Sequence, residues 1–321
     1  MKDQARTLRV AAVQLASMNH DVSGNLSRAM PLLDEAARQG ARLILLPEFL
    51  PTGYIFHPSI WDAAEPASGP TARWLSENAR RLGVYVGTSF LEADGEDFYN
   101  TFVLAGPDGA ELGRVRKQTP AAAEAFFTRG EDGTHVISTP LGNIGVGICF
   151  ENQLAYIPRL MHEHGADILL MPHSAPTPAL PLFKKFGAGV WERLLASTPG
   201  NLARALGIPA LFVNKCGPWQ SPLPFFPLFP QKSRFPGRSV IVDADGQVVK
   251  SLGDGPGVAV ADLVLDPQRK APAPPKTHGR WSLRGRGFLA SFFALQAVGA
   301  AWYNRSEKRR EKARAVSRPM P

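Results

Sequence analysis

Cysteine is scarce in this chain of 321 residues: Cys149 and Cys216 are the only two. Two cysteines do not make a disulfide framework, so a reducing compartment is the natural setting. The first ten residues, MKDQARTLRV, carry charge where a secretory signal needs an apolar run. No signal peptide is expected, and the reading is cytoplasmic, with the inner face of a membrane as an alternative seat. Histidine is sparse too. The one close pair among the seven, His162 and His164, falls on an expected helix, where residues two apart point away from each other. No metal site and no cofactor are expected. A Gly-x-Ser-x-Gly elbow is also missing, which leaves a serine triad without support.

Acidic charge is short at one end only. Residues 267–321 hold 13 Lys/Arg against Glu307 and Glu311, net +11, while residues 1–266 hold 23 Lys/Arg against 26 Asp/Glu, net −3. The basic pI therefore belongs to an appendage. The arm suggests anionic lipid, nucleic acid or an acidic partner, while the body gives no nucleic-acid signal, and no nucleic-acid partner is expected.

What is present is a chain that can build a sizeable core, with 44% hydrophobic residues. Short apolar strands alternate with helices stopped by glycine. Strands are expected at 8–15, 42–46, 84–90, 143–148, 167–171 and 209–214, with helices at about 25–39, 71–82 and 153–164. Hairpin turns at Pro107-Asp108-Gly109 and Asp245-Gly246 make the sheets mixed rather than purely parallel. Layered α/β packing follows. The division is a body over 1–266 and a basic extension over 267–321 containing an apolar segment, 287–303.

Four residues stand out for chemistry. Cys149 lies between an apolar strand and a helix, where the first helical amides can lower a thiol pKa, or it is a buried core cysteine. Glu48 sits at the mouth of a buried strand in LILLPEF, where partial desolvation would raise its pKa toward a general base; the alternative is a solvated loop acid. Lys117 ends a strand expected at 111–117, in GRVRKQTP, and Glu124 follows it; each is a surface charge if taken alone.

Together these four fall in three ordered blocks, PEFLPTGY, RKQTPAAAE and GVGICFEN, that resemble the signature blocks of the nitrilase superfamily. DILLMPHSA, LFVNKCG and FPGRSVIVDADG add flanking agreement, and the likeness covers roughly residues 8–266. The resemblance implies a four-layer αββα sandwich with a C-terminal helical extension, assembled as a homodimer or larger homo-oligomer. It implies hydrolysis of a non-peptide C–N bond, with Cys149 as nucleophile, Glu48 as base, and Lys117 with the Phe150 amide stabilising the anion. Glu124 would hold Lys117. Tyr54, Phe150, Glu151, His173 and Ser174 are the candidates for touching substrate, and Cys216, with no second base near it in sequence, reads as structural or pocket-lining.

Amide and nitrile substrates stay open, amide being favoured because amides predominate across the superfamily. Acyl transfer from the same thioester and a non-catalytic binding role are the competing classes. Two stretches depart from the pattern. Residues 217–236 are rich in Pro and Phe, with Trp219, Phe225, Phe226, Leu228 and Phe229 as an apolar cluster that needs covering. Residues 287–314 resemble an interfacial anchor, with Trp302 and Tyr303 followed by Lys308, Arg309, Arg310, Lys312 and Arg314. The alternative is a helix packed on another subunit.

Overall fold

A computed structural model describes residues 4–178, 181–223, 226–285 and 289–318. The first half of the body runs β1 (Arg6–Gln14), α1 (Val22–Arg38), β2 (Leu43–Leu45), α2 (Pro70–Leu82), β3 (Tyr85–Asp94), β4 (Asp97–Ala105) and β5 (Glu111–Arg116). The second half runs β6 (Val136–Thr139), β7 (Gly142–Val146), α3 (Tyr156–Glu163), β8 (Ile168–Pro172), α4 (Pro181–Leu206) and β9 (Ala210–Val213). A hairpin follows, β10 (Cys216–Leu223) and β11 (Phe226–Pro236), then β12 (Val240–Val242), β13 (Val248–Ser251) and β14 (Gly257–Leu265). The extension forms α5 (Ala290–Arg305) and α6 (Glu307–Ser317).

Local chemistry sets the boundaries. Asp21 caps α1 by accepting from the Gly24 amide at 3.1 Å. α2 starts on Pro70, whose missing N–H costs nothing there, and stops at Gly83 with φ +66°.

The body has two six-stranded sheets, in the orders β14-β1-β2-β3-β4-β5 and β13-β12-β9-β8-β7-β6. β1, β2 and β3 are parallel, as are β7, β8 and β9, with antiparallel strands on the flanks. Period-two alternation gives the central strands two buried faces. Val10, Ala12, Leu43 and Leu45 share a core cluster with Ile144 and Val146 of the facing sheet. Ala11, Val13 and Ile44 point the other way, onto Leu33 and Ala36 of α1 and Leu75 and Ala79 of α2. α3 and α4 cover the second sheet through Ile157, Met161, Leu202 and Ala203. This is the αββα sandwich.

The Pro-rich stretch is a two-stranded ribbon of its own, with Pro222 opposite Pro230 and Pro218 opposite Arg234. Both strands are edges, so prolines without N–H groups fit. Trp219 is buried, whereas Leu228 and Phe229 are exposed; Phe225 and the side chain of Phe226 lie outside the described residues.

The extension folds back onto the same chain. α5 lies on the 3-10 turn Ala122–Phe126, and its Gly299 is buried there. Trp302 stacks on Trp61 at 6.3 Å, and the Tyr303 hydroxyl accepts from the Phe98 amide at 2.8 Å. Arg309 of α6 is buried, with Nη1 2.6 Å from Asp97. Among the described residues no helix is long and apolar enough to cross a membrane. Residues 287 and 288, the start of the apolar run, lie outside the described residues.

A Cβ on Gly299 would stand 2.9 Å from the Phe126 ring and 3.0 Å from the Ala125 backbone. On a free helix, Gly→Ala stabilises by roughly 0.5–1 kcal/mol. Here the clash reverses the sign, and Gly299→Ala is expected to lower the urea midpoint and speed proteolysis at α5. A raised midpoint would show that α5 is not seated on this turn.

Candidate active site

Strand direction brings the candidates together. β2, β5, β7 and β8 all end at one edge of the sandwich, where the carboxyl ends of parallel strands leave a crevice. Glu48 follows β2, Lys117 follows β5, Cys149 follows β7, and His173 and Ser174 follow β8. Asn100, near the start of antiparallel β4, reaches the same edge.

Lys117 Nζ donates to Glu48 Oε1 at 2.8 Å and to Glu124 Oε2 at 2.6 Å, and all three side chains are buried. Asn100 Nδ2 donates to Glu48 Oε1 at 2.8 Å and Glu124 Oε1 at 3.0 Å. The Ser174 amide donates to Glu48 Oε2 at 2.7 Å and also reaches the Cys149 sulfur. The backbone after Glu48 is held from both sides. The Phe49 amide donates to Ser89 Oγ at 2.9 Å, and its carbonyl accepts from Lys215 Nζ at 2.8 Å. Phe49, Ala122 and Cys149 have φ of +48°, +46° and +55°. Such non-glycine conformations cost on the order of 1–3 kcal/mol each and cluster where surrounding structure over-determines them.

Two electrostatic expectations reverse. Burial by itself would raise the Glu48 carboxyl, but the Lys117 ammonium, with help from Asn100, holds it below its ordinary value. Glu48 is therefore ionised at rest. Glu124 goes the other way, because burial and the Glu48 charge together outweigh Lys117. The two carboxylates share one cation and titrate as a pair. The Cys149 thiol is pushed well up, by burial first and then by Glu48. No long helix begins at Cys149 to oppose this: it opens a 3-10 turn, Cys149–Gln153, and α3 starts only at Tyr156. A protonated thiol facing an ionised carboxylate is the resting state.

Cys149 is at the wall of a cavity of about 390 Å³ that Tyr54, Phe150, His173 and Ser174 also line. The rest of the wall is largely apolar and includes Trp191, Leu194, Trp219 and, from the extension, Phe292 and Leu295. Among the described lining residues there is no Lys, Arg, Asp or Glu. Glu151, expected beside the substrate, is not on this wall. Its carboxylate accepts from the Gln118 amide at 2.7 Å, the Ile148 amide at 3.1 Å and the Tyr156 hydroxyl at 2.6 Å. It ties the Lys117 loop to the Cys149 loop.

Sequence reasoning missed Asn100 and Lys215. A signal existed for each: an amide in the otherwise apolar strand DFYNTFVLA, and a lysine directly after the buried strand ALFV. Burial lowers Lys215 to about 7.

His173 Nδ1 donates to the Met171 carbonyl at 2.9 Å, and its ring packs on Phe212 at 4.3 Å. Burial pushes its pKa down to about 4 from an ordinary 6.5. Between those values the unfolded chain binds more protons than the folded one, so stability falls as pH drops from 6.5 to 4 and levels off below. Compared with His173→Asn in urea melts, the native protein should lose up to about 3 kcal/mol more over that range, one pKa unit being worth ~1.4 kcal/mol. A constant gap would show that His173 is not held neutral.

The carbon-nitrogen hydrolase family matches residues 9–273. A nitrilase from Pyrococcus abyssi is 34% identical over 178 residues, 54% of this chain and 68% of that protein. The omega-amidase NIT2 of Mus musculus is 28% identical over 271 residues, 81% of this chain and 89% of that protein. An amidase of known structure from Nesterenkonia sp. superposes with a TM-score of 0.65 at 25% identity, covering 83% of this chain and 93% of that one. With the match spanning the whole sandwich, the chain belongs to the carbon-nitrogen hydrolase family of the nitrilase superfamily.

Proposed function

We propose that this enzyme hydrolyses amides of uncharged, apolar carboxylic acids through a thioester on Cys149. The observation that carries the reading is the buried Glu48–Lys117–Glu124 cluster set against a protonated thiol at an apolar cavity. Glu48 takes the thiol proton as Sγ attacks the carbonyl carbon. The oxygen becomes an alkoxide, which the Lys117 ammonium and the Phe150 amide stabilise. Glu48 then gives that proton to the departing nitrogen, the C–N bond breaks, and ammonia or an amine leaves. Water, deprotonated by Glu48, attacks the thioester; the acid departs and the thiol regains its proton. Glu124 and Asn100 hold Lys117 and Glu48 in register, and Tyr54, His173 and Ser174 border the acyl group.

Amide is favoured over nitrile by the range of the likenesses. The omega-amidase and the solved amidase align with most of this chain, the nitrilase with about half of it. The described cavity wall favours an apolar acid, because a charged group there would lose its hydration with no ionic partner among the described lining residues.

Ammonia release from matched amides and nitriles of short and long acids tests both points. Release is expected from amides with apolar acyl groups, and Cys149→Ala should abolish it. Glu48→Gln should lower kcat by about 10²–10⁴-fold, as loss of a positioned general base does. Full activity in Cys149→Ala would reject the thioester, and release from nitriles alone would reject the amide.

A further inference from the structure

We propose that α5, in the C-terminal extension, is the specificity wall of the active site, with Phe292 and Leu295 setting the length and bulk of the acyl group that Cys149 accepts. The inference rests on the hydrolase reading above.

Three observations carry it. First, Phe292 and Leu295 line the cavity that Cys149 lines. Second, the wall touches the nucleophile's neighbour: Phe150, the next residue after Cys149, has its ring 5.4 Å from Phe292 and 6.1 Å from Phe293. Trp191 of α4 closes on Phe292 from another side at 6.3 Å. Third, the helix is fixed rather than draped. Gly299 is fitted against the turn that carries Glu124, Tyr303 is bonded to Phe98, and Arg309 is paired with Asp97. A wall pinned in this way has a defined distance from the thiol, so residue size on its inner face converts directly into chain length.

A hydrophobic pocket discriminates by volume and cavity cost, about 10–200-fold for one methylene. Enlarging Leu295 should therefore shorten the acceptable chain, and shrinking it should lengthen the chain. A helix that only stabilised the fold would not move preference in opposite directions.

The test uses the whole 321-residue chain and p-nitrophenyl esters of straight-chain acids from acetyl to dodecanoyl. In the reaction Glu48 takes the thiol proton, the Cys149 sulfur–acyl bond forms, the ester C–O bond breaks, and nitrophenolate leaves with the electron pair. The readouts are the acyl mass added to Cys149 and the burst of nitrophenolate. Leu295→Trp is expected to lower the octanoyl-to-acetyl rate ratio about tenfold or more, the cost of excluding one or more methylenes. Leu295→Ala should shift the optimum toward longer chains, and Phe292→Ala toward bulkier ones. Chain-length profiles that superimpose on the native one, with Cys149 still acylated, would overturn the wall and leave the hydrolase reading standing. Failure of every ester to acylate Cys149 in the folded native protein would reject the hydrolase reading, and the wall with it.

Discussion

Lys117 places one ammonium between two carboxylates in a region closed to water, 2.8 Å from Glu48 and 2.6 Å from Glu124. Burying an ion costs several kcal/mol after relaxation, and only close geometry with further hydrogen bonds offsets it. The structure supplies those bonds from many directions. Glu48 receives Lys117, Asn100 and the Ser174 amide; Glu124 receives Lys117, Asn100 and the Ala121 amide. The Ser174 amide follows a strand of the second sheet, whereas the side-chain donors Lys117 and Asn100 come from strands of the first. The cluster therefore fixes how the two sheets are set at this edge, as well as the charge near the thiol. Removing the Lys117 ammonium would strand both carboxylates, which is why neighbouring groups here cannot be treated as independent.

The same cluster sorts the protons. One cation cannot hold two buried carboxyls equally low, so Glu48 goes down and Glu124 up. The thiol, buried and beside the Glu48 charge, keeps its proton. With Glu48 ionised and Cys149 protonated, the proposed mechanism would make proton transfer part of the attack itself. This differs from a pre-formed thiolate at a helix start, and the short 3-10 turn after Cys149 explains the difference: it has no long dipole to offer. Strain is concentrated in the same place, at Phe49, Ala122 and Cys149, and the Phe49 backbone is braced by Ser89 and Lys215.

Much of this was legible in the sequence, for a physical reason. Strand ends bearing Glu48, Lys117 and Cys149 are local features, since an apolar run, its breaker and the polar residue that follows lie within a few positions. The alternation of Val10, Ala11, Ala12 and Val13 likewise announces two buried faces. The unread parts depend on contacts between distant segments. Glu151 looked like a pocket residue because it follows Cys149 by two, yet the 3-10 turn aims it at the backbone of 118 and 148. Asn100 is one polar residue in a strand until Lys117 and both glutamates converge on its amide. The pKa directions depend on which charges meet, and no local window contains them all.

The extension shows the same limit most clearly, because its composition pointed outward while its contacts run inward. A segment with net charge +11 beside a body of net charge −3 reads as an arm looking for an anionic surface. Much of that attraction is met within the chain. Arg309 pairs with Asp97, Arg314 and Arg310 approach Glu96, and Lys312 is 2.9 Å from Asp62. Apart from the buried Arg309–Asp97 pair, these are exposed pairs, which contribute little individually, about 0–1 kcal/mol. Their number and consistent sign matter more, since they select one seating for α6 and, through the short connection at Ser306, for α5. Burial of Tyr303 and the fit of Gly299 then fix the helix along its length. Charge complementarity chooses the place, apolar packing holds it, and the result puts Phe292 and Leu295 across the cavity from a thiol that precedes them by some 140 residues.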